Sequence, residues 1–355
     1  MKTRLFLLLL FPSLLFFSLR VNAQDDITNI FKAGGDVSKL LDGYMAPAGT
    51  AFATGLGSNW YNTAATHKTL GFDLTASVGI IQTPSSAQTF SFSNLEYLTP
   101  TSGTMPTFVG KEKNGQTFRS TQTINGRPVV TLNTPGGVSN ILPAVNLQFT
   151  IGLPKGNDVS FRYTPELNYN GFSGKLWGAG LKHDVKQWIP GVKLLPFDAS
   201  VMVGYTKLDL NYKFPESAVI TPEKLVDDPA YLADGVRDDL GYSRQGFGIS
   251  ASALMANLII SKKLMFFTPY IGMGITKTDY KISLNGVYPI YKGLNSSNKV
   301  EWENRDNPFN LTKQETMPGL TAGFRLKMLA VLAINAQYTL QKYSVASVGI
   351  GINFR

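Results

Sequence analysis

His67 and His183 are the two histidines of this chain, and they bound its imidazole chemistry. A zinc centre with histidine ligands needs both of them plus carboxylates, and no HExxH spacing puts two ligands on one helical face. His183 is followed at once by Asp184. Neighbours on a strand point to opposite faces, so this pair makes no catalytic dyad. No GxSxG turn presents a serine nucleophile. Asp227-Asp228 and Asp238-Asp239 have calcium-ligand chemistry, but they stand in a long polar stretch where water satisfies a carboxylate equally well. The sequence therefore predicts no enzyme, no cofactor and no metal site.

The informative charges are those set in alternating segments. Asp73, Arg162, Lys182, Asp184, Arg325 and Lys327, with the amides of Asn335 and Gln337, fall on the polar faces of stretches with a period of two. That period reads as β-strand. Leu70, Phe72, Leu74, Ala76, Val78 and Ile80 oppose Gly71, Asp73, Thr75, Ser77 and Gly79. Leu320, Ala322, Phe324 and Leu326 oppose Thr321, Gly323, Arg325 and Lys327. A wall greasy on one side and charged on the other suits a boundary between lipid and water. The charged faces are expected to line a lumen. That lumen is either a polar conduit or binding chamber, or a salt-bridged interior filling a small barrel.

The elements that position these residues can be counted. Ten alternating segments occur, the first from residue 70 and the last from residue 344 to the chain end. In the last, Ser344, Ala346, Val348, Ile350, Ile352 and Phe354 oppose Val345, Ser347, Gly349, Gly351 and Asn353. Residues 83–140 are rich in Thr, Ser, Gly and Pro, with weak strand candidates at 89–95 and 127–133. They add no, two or four strands, so the total is ten, twelve or fourteen. Short links such as 154–157 and 261–264 alternate with long polar ones such as 214–240 and 285–315. Short turns on one side and long loops on the other are the asymmetry of outer-membrane barrels. Residues 24–69 do not alternate. Ile27, Ile30, Phe31, Val37, Leu40, Leu41 and Tyr44 recur at helical spacing, predicting one or two short helices broken at Gly34-Gly35. A small-residue stretch follows from Tyr44 to Thr66. This segment either plugs the barrel or rests at its mouth.

The N-terminus is an export signal. Lys2 and Arg4 precede an apolar run over 5–17, and Val21-Asn22-Ala23 offers a cleavage site. The run is shorter than the roughly 20 residues a spanning helix needs. Without residues 1–23 the chain holds 30 basic and 24 acidic residues, a net of +6, because Lys2, Arg4 and Arg20 leave with the signal. No basic run exceeds Lys262-Lys263, so nucleic acid is not an expected partner. The absence of cysteine excludes a disulfide framework and lipoprotein processing. Charged residues make up 16% of the chain, below the roughly 25% usual for soluble domains.

Two resemblances follow from these residues. The C-terminal segment resembles the closing strand of bacterial outer-membrane barrels, whose terminal aromatic is read by the barrel-assembly machinery; here Arg355 follows Phe354. Tyr44-Met45-Ala46-Pro47, GLGSNWYN over 55–62, His67-Lys68, Gly71-Phe72-Asp73, Pro135-Gly136-Gly137, GLPKG over 152–156, GLKHDVKQWIP over 180–190 and Leu195-Pro196-Phe197-Asp198 together resemble an uncharacterised family of exported barrels from Bacteroidota. More distantly, plug plus barrel resembles the long-chain fatty acid transporter superfamily, in architecture only. The expected protein is all-β, a monomeric transmembrane antiparallel barrel over 70–355 in the bacterial outer membrane, behind a helical segment over 24–69. Its expected partners are outer-membrane lipid, the assembly machinery and an unidentified small molecule. The expected role is passive passage or uptake of a small substrate, hydrophobic ones included. The competing role is a non-transporting structural or surface-interaction barrel working through its long loops.

Overall fold

The computed structural model describes residues 30–191, 195–226, 241–328 and 331–354. Among them, ten antiparallel strands close into one barrel. They are β1 (Phe72–Gln82), β2 (Ile141–Leu153), β3 (Asn157–Tyr169), β4 (Phe172–Asp184), β5 (Asp198–Lys213), β6 (Gly246–Ser261), β7 (Phe267–Asn285), β8 (Asn310–Met328), β9 (Leu332–Leu340) and β10 (Ser344–Phe354). Each pairs with its sequence neighbour, and β10 closes on β1 in register from Phe72↔Phe354 to Gln82↔Ser344. Closure leaves no free sheet edge, as a spanning sheet requires. The outer faces carry the apolar side chains. Ile350 and Met273 are 52% and 58% exposed, while Gly349 and Gly272 beside them are buried.

Residues 83–140 add nothing to the barrel. Their strands are two to four residues long and pair among themselves, Thr89–Ser91 with Thr104–Pro106 and Leu98–Pro100 with Thr117–Ser120 with Thr131–Asn133. A spanning strand needs about 9–11 residues, so segments broken this often by Thr, Gly and Pro stay outside the wall. The strand total is the smallest of the three expected.

The wall has uneven height. β9, β10 and β1 hold 9, 11 and 11 residues, whereas β7 and β8 hold 19 each. The short strands just span a bilayer, so the long ones project beyond it on the side where 83–140, 214–226 and 286–309 emerge. We call this the loop end and the opposite side the turn end. Over the loop end, Leu98, Met105, Phe118, Tyr288 and Ile290 pack with Ile30 and Phe31 into an apolar core. Phe31 stacks on Tyr288 with ring centroids 5.0 Å apart. The buried Asp36 carboxylate accepts the backbone N–H groups of Glu96 and Tyr97 at 2.8–3.0 Å, pinning a loop to the start of a helix.

The break expected at Gly34-Gly35 is present, but the helix beyond it runs further than expected. A 3-10 segment, Phe31–Asp36, contains Gly34 at φ 60° and leads into one continuous helix α1, Val37–Leu56. Pro47, Gly49 and Gly55, expected in a small-residue stretch beyond the helices, lie inside α1. The reason is its location. A helix with its side chains is about 10–12 Å wide, and α1 runs inside the barrel. A Cβ on Gly49 would sit 2.2 Å from the Tyr280 ring, and one on Gly43 2.2 Å from Phe90. Small residues let the helix approach the wall at Tyr280 and the loop-end cover at Phe90. Pro47 forfeits one helical hydrogen bond, and the Tyr280 hydroxyl donates to the adjacent Ala46 carbonyl at 2.7 Å.

Candidate functional site: the filled lumen

The interior divides along the barrel axis. Toward the loop end, α1 meets apolar inward faces of the wall, including Ile249, Ala251, Ala253 and Ile282. Toward the turn end, the chain leaves the helix at Leu56 and descends as an irregular segment to Phe72. There the wall turns polar, and the segment is held by the charges that the alternation singled out.

Arg162 on β3 is 1% exposed. Its guanidinium lies 3.9 Å from the centre of a Trp60 ring. Nη1 donates to Leu56 O at 3.2 Å and Asn146 Oδ1 at 3.0 Å, Nη2 to Ser58 O at 2.8 Å, and Nε to Gln148 Oε1 at 3.1 Å. Among the described residues it has no carboxylate partner. Its charge is met by the exposed carbonyls at the C-terminus of α1, where the helix dipole is negative. Trp60 fits because the wall beside it lacks side chains. A Cβ on Gly180 or Gly204 would stand 2.8 or 2.6 Å from the indole.

Two ion clusters lie nearer the turn end. Asp158 on β3 is bound by Lys182 Nζ at 3.0 Å and by His67, whose backbone N–H and Nδ1 lie at 2.9 and 3.0 Å. Lys182 also donates to Ala65 O at 2.8 Å. Arg325 Nη2 meets Asp73 Oδ2 at 3.2 Å, and its Nη1 donates to Asn62 Oδ1 at 3.0 Å. Gln337 donates to Asn59 Oδ1 at 2.9 Å and accepts from the Tyr270 hydroxyl at 2.8 Å. Asn335 is buried beside Gly349. Arg162, Asp158, Lys182, Arg325 and Gln337 each also reach the same strip of chain, residues 56–67.

Two residues assigned to the lumen lie at its limits. Asp184 is half-buried at the end of β4 and accepts the Lys186 N–H at 2.9 Å, capping a turn. Lys327 is exposed. It shares a face with Arg325, but β8 has reached the turn end there, so the face opens to solvent instead of the interior. His183 lies beyond the interior too, bound to Asn157 at 2.8 Å and to the Trp188 indole at 2.7 Å. Asp227, Asp228, Asp238 and Asp239 lie outside the described residues, as does the signal segment 1–23. Sequence reasoning missed Asp158, Asn59 and Trp60. Asp158 was accessible, since it shares the Ser160–Arg162 face. Nothing local in Asn59-Trp60 shows that a wall glycine groove awaits them.

A small cavity lies beside the gripped segment. A polar cavity of about 30 Å³ lies among Asn59, Trp60, Asp73, Gln148, Lys182 and Asn335. A water needs about 10–15 Å³ by this measure, so it holds one or two. Trp60 Nε1 and Asn59 Nδ2 are buried there without a protein partner. Among the described residues no group of three or more His, Cys, Asp or Glu is placed to hold a metal.

No curated protein matches this chain. Solved structures similar to it are bacterial barrels. The N-terminal β-barrel domain of Pseudomonas aeruginosa OprF aligns at 13% identity over 56% of this chain and 94% of its own, with a TM-score of 0.23. Ail, the attachment invasion locus protein of Yersinia pestis, aligns at 8% identity over 81% and 99%, with a TM-score of 0.26. The Ralstonia pickettii toluene transporter TbuX aligns at 7% identity over 86% and 98%, also at 0.26. At these scores the likeness says nothing of activity. The sequence itself is decisive: the model of the family of unknown function DUF6588 matches residues 1–354, and the chain belongs to that family.

Proposed function

We propose that this protein is a non-conducting barrel of the bacterial outer membrane whose folded loop end faces the outside and serves as a structural or interaction surface. The observation that carries this reading is the filled lumen. From Val37 to His67 the interior is occupied by the chain itself, and the polar cavity beside Trp60 holds about 30 Å³. Passage of a solute would require this strip to leave. That means exposing Leu40 at one end and, at the other, parting Arg162 from the carbonyls of Leu56 and Ser58, Arg325 from Asn62, and Asp158 from His67. Each buried polar group left unmet costs about 1–3 kcal/mol. The passive-passage role expected from sequence therefore ranks second.

The membrane location rests on the outward apolar faces, the closed wall and the export signal over 1–23. The distant resemblance to fatty acid transporters supplies no ligand residue for this reading.

Purified protein in planar bilayers should show no conductance steps, and liposomes carrying it should not swell in small sugars. Sustained conductance or sugar entry would reverse the order of the two roles.

A further inference from the structure

The outer surface of the tall wall changes character abruptly above its apolar band. On β4 the outward residues run Leu181, Ala179, Trp177 and then Lys175. On β5 they run Val201, Val203, Tyr205 and then Lys207, and on β7 Ile271, Met273, Ile275 and then Lys277. On each of these strands the first outward side chain past the band is a lysine. Lys213 on β5 and Lys281 on β7 stand further up the same faces. Trp177 and Tyr205 pack together just below, with ring centroids 5.4 Å apart. Such an aromatic pair marks a bilayer–water boundary.

The acids on this face do not neutralise it. They are Asp209 and Asp279, set among five lysines. Asp209 lies 3.9 Å from Lys207 and accepts the Ser250 hydroxyl at 2.7 Å, and Asp279 accepts from Gln314 at 2.5 Å. Lys175, Lys277 and Lys281 are exposed and unpaired among the described residues. The short wall lacks the pattern. On β10 and β1 the corresponding positions are Ser344 and Gln82, and the nearby Lys342 is paired with Glu315.

Strands lie about 4.8 Å apart, so β4 to β7 spans about 14 Å. Lysine stems reach along the wall while their ammonium groups stay in the headgroup layer. We infer that the outward face of β4–β7 above Trp177 and Tyr205 is a docking surface for a phosphorylated glycolipid of the outer leaflet, its phosphates held by Lys175, Lys207 and Lys277. Charge complementarity and continuity with the lipid-facing band select a membrane lipid over a soluble partner. The inference rests on the loop end facing outward in the outer membrane.

The test uses full-length protein purified in detergent and two probes, diphosphorylated lipid A and the same lipid enzymatically dephosphorylated. The diphosphorylated lipid should bind roughly tenfold or more tightly than its dephosphorylated form, and salt should weaken that preference. The joint variant Lys175→Gln, Lys207→Gln, Lys277→Gln should lose the preference, and the matching Lys→Arg variant should keep it. Equal binding of both lipids by the unaltered protein overturns the inference, whatever the variants do. Fractionation of cells tests the location separately: recovery in the inner membrane would remove the location and leave the lipid measurement to stand or fall by itself.

Discussion

Arg162 is a cation held inside a barrel by carbonyl and amide oxygens alone. Its removal strands several acceptors at once, and each buried polar group left unmet costs about 1–3 kcal/mol. Arg162→Ala should therefore lower stability by about 3 kcal/mol or more, read as an earlier loss of the heat-modifiable band. The emission of Trp60 should change with it, because the guanidinium no longer covers that ring. An unchanged unfolding midpoint would show that α1 alone holds the segment. This residue was legible in sequence as a charge on the inner face of a strand. Its partners were not. All five of its contacts are with backbone atoms or with residues of another element, and no periodicity encodes which carbonyl will face which strand.

At the scale of elements, two substitutions separate the faces. Ile350 lies on the outer face of β10, where Arg costs about 2–4 kcal/mol near the bilayer midplane. Ile350→Arg should impair assembly, while Thr316→Arg, on the projecting part of β8, should be tolerated. Equal assembly of the two would remove lipid from the account of the outer face. For α1 the test is steric. Gly49→Val should disrupt packing, since even its Cβ would meet Tyr280, whereas Gly103→Ala has nothing within 4 Å and should be silent. The ten strands were legible because alternation is enforced by a two-sided solvent boundary, which acts on every residue of every strand. The helix was only half legible. Its first turns have ordinary apolar spacing, but from Gly43 onward its composition answers to a confining wall, and confinement favours the residues that free helices avoid.

At the scale of the molecule, the predictions concern sidedness. The hairpin formed by Val287–Leu294 and Val300–Asp306 belongs to the loop end. Protease added to intact cells should cut near its tip at 295–299 and spare the turn at 154–156. The reverse pattern would invert the topology. Mature protein in the membrane fraction should begin near Gln24, as mass spectrometry would show; an intact Met1 would refute the export signal. The fold class was legible end to end, but the wall's unequal height was not. Beyond the bilayer the alternation of β7 inverts, with Tyr280, Ile282 and Leu284 inward and Lys277, Asp279 and Lys281 outward, and the start of β8 fell within the polar stretch 285–315 that read as loop.

The threading of the chain has a consequence in time. Residue 30 lies at the loop end and residue 71 at the turn end, with α1 between them inside a wall that β1 and β10 seal. A finished cylinder offers no lateral slit for a helix bearing Phe31, Leu40 and Tyr44. The helix must already be in place when the last-made strand reaches the first, so it acts as a mandrel around which the sheet is rolled. Seen this way, the small residues of α1 set the bore of the cylinder, and deletion of 30–66 should yield not an open pore but strands that fail to find their final circumference.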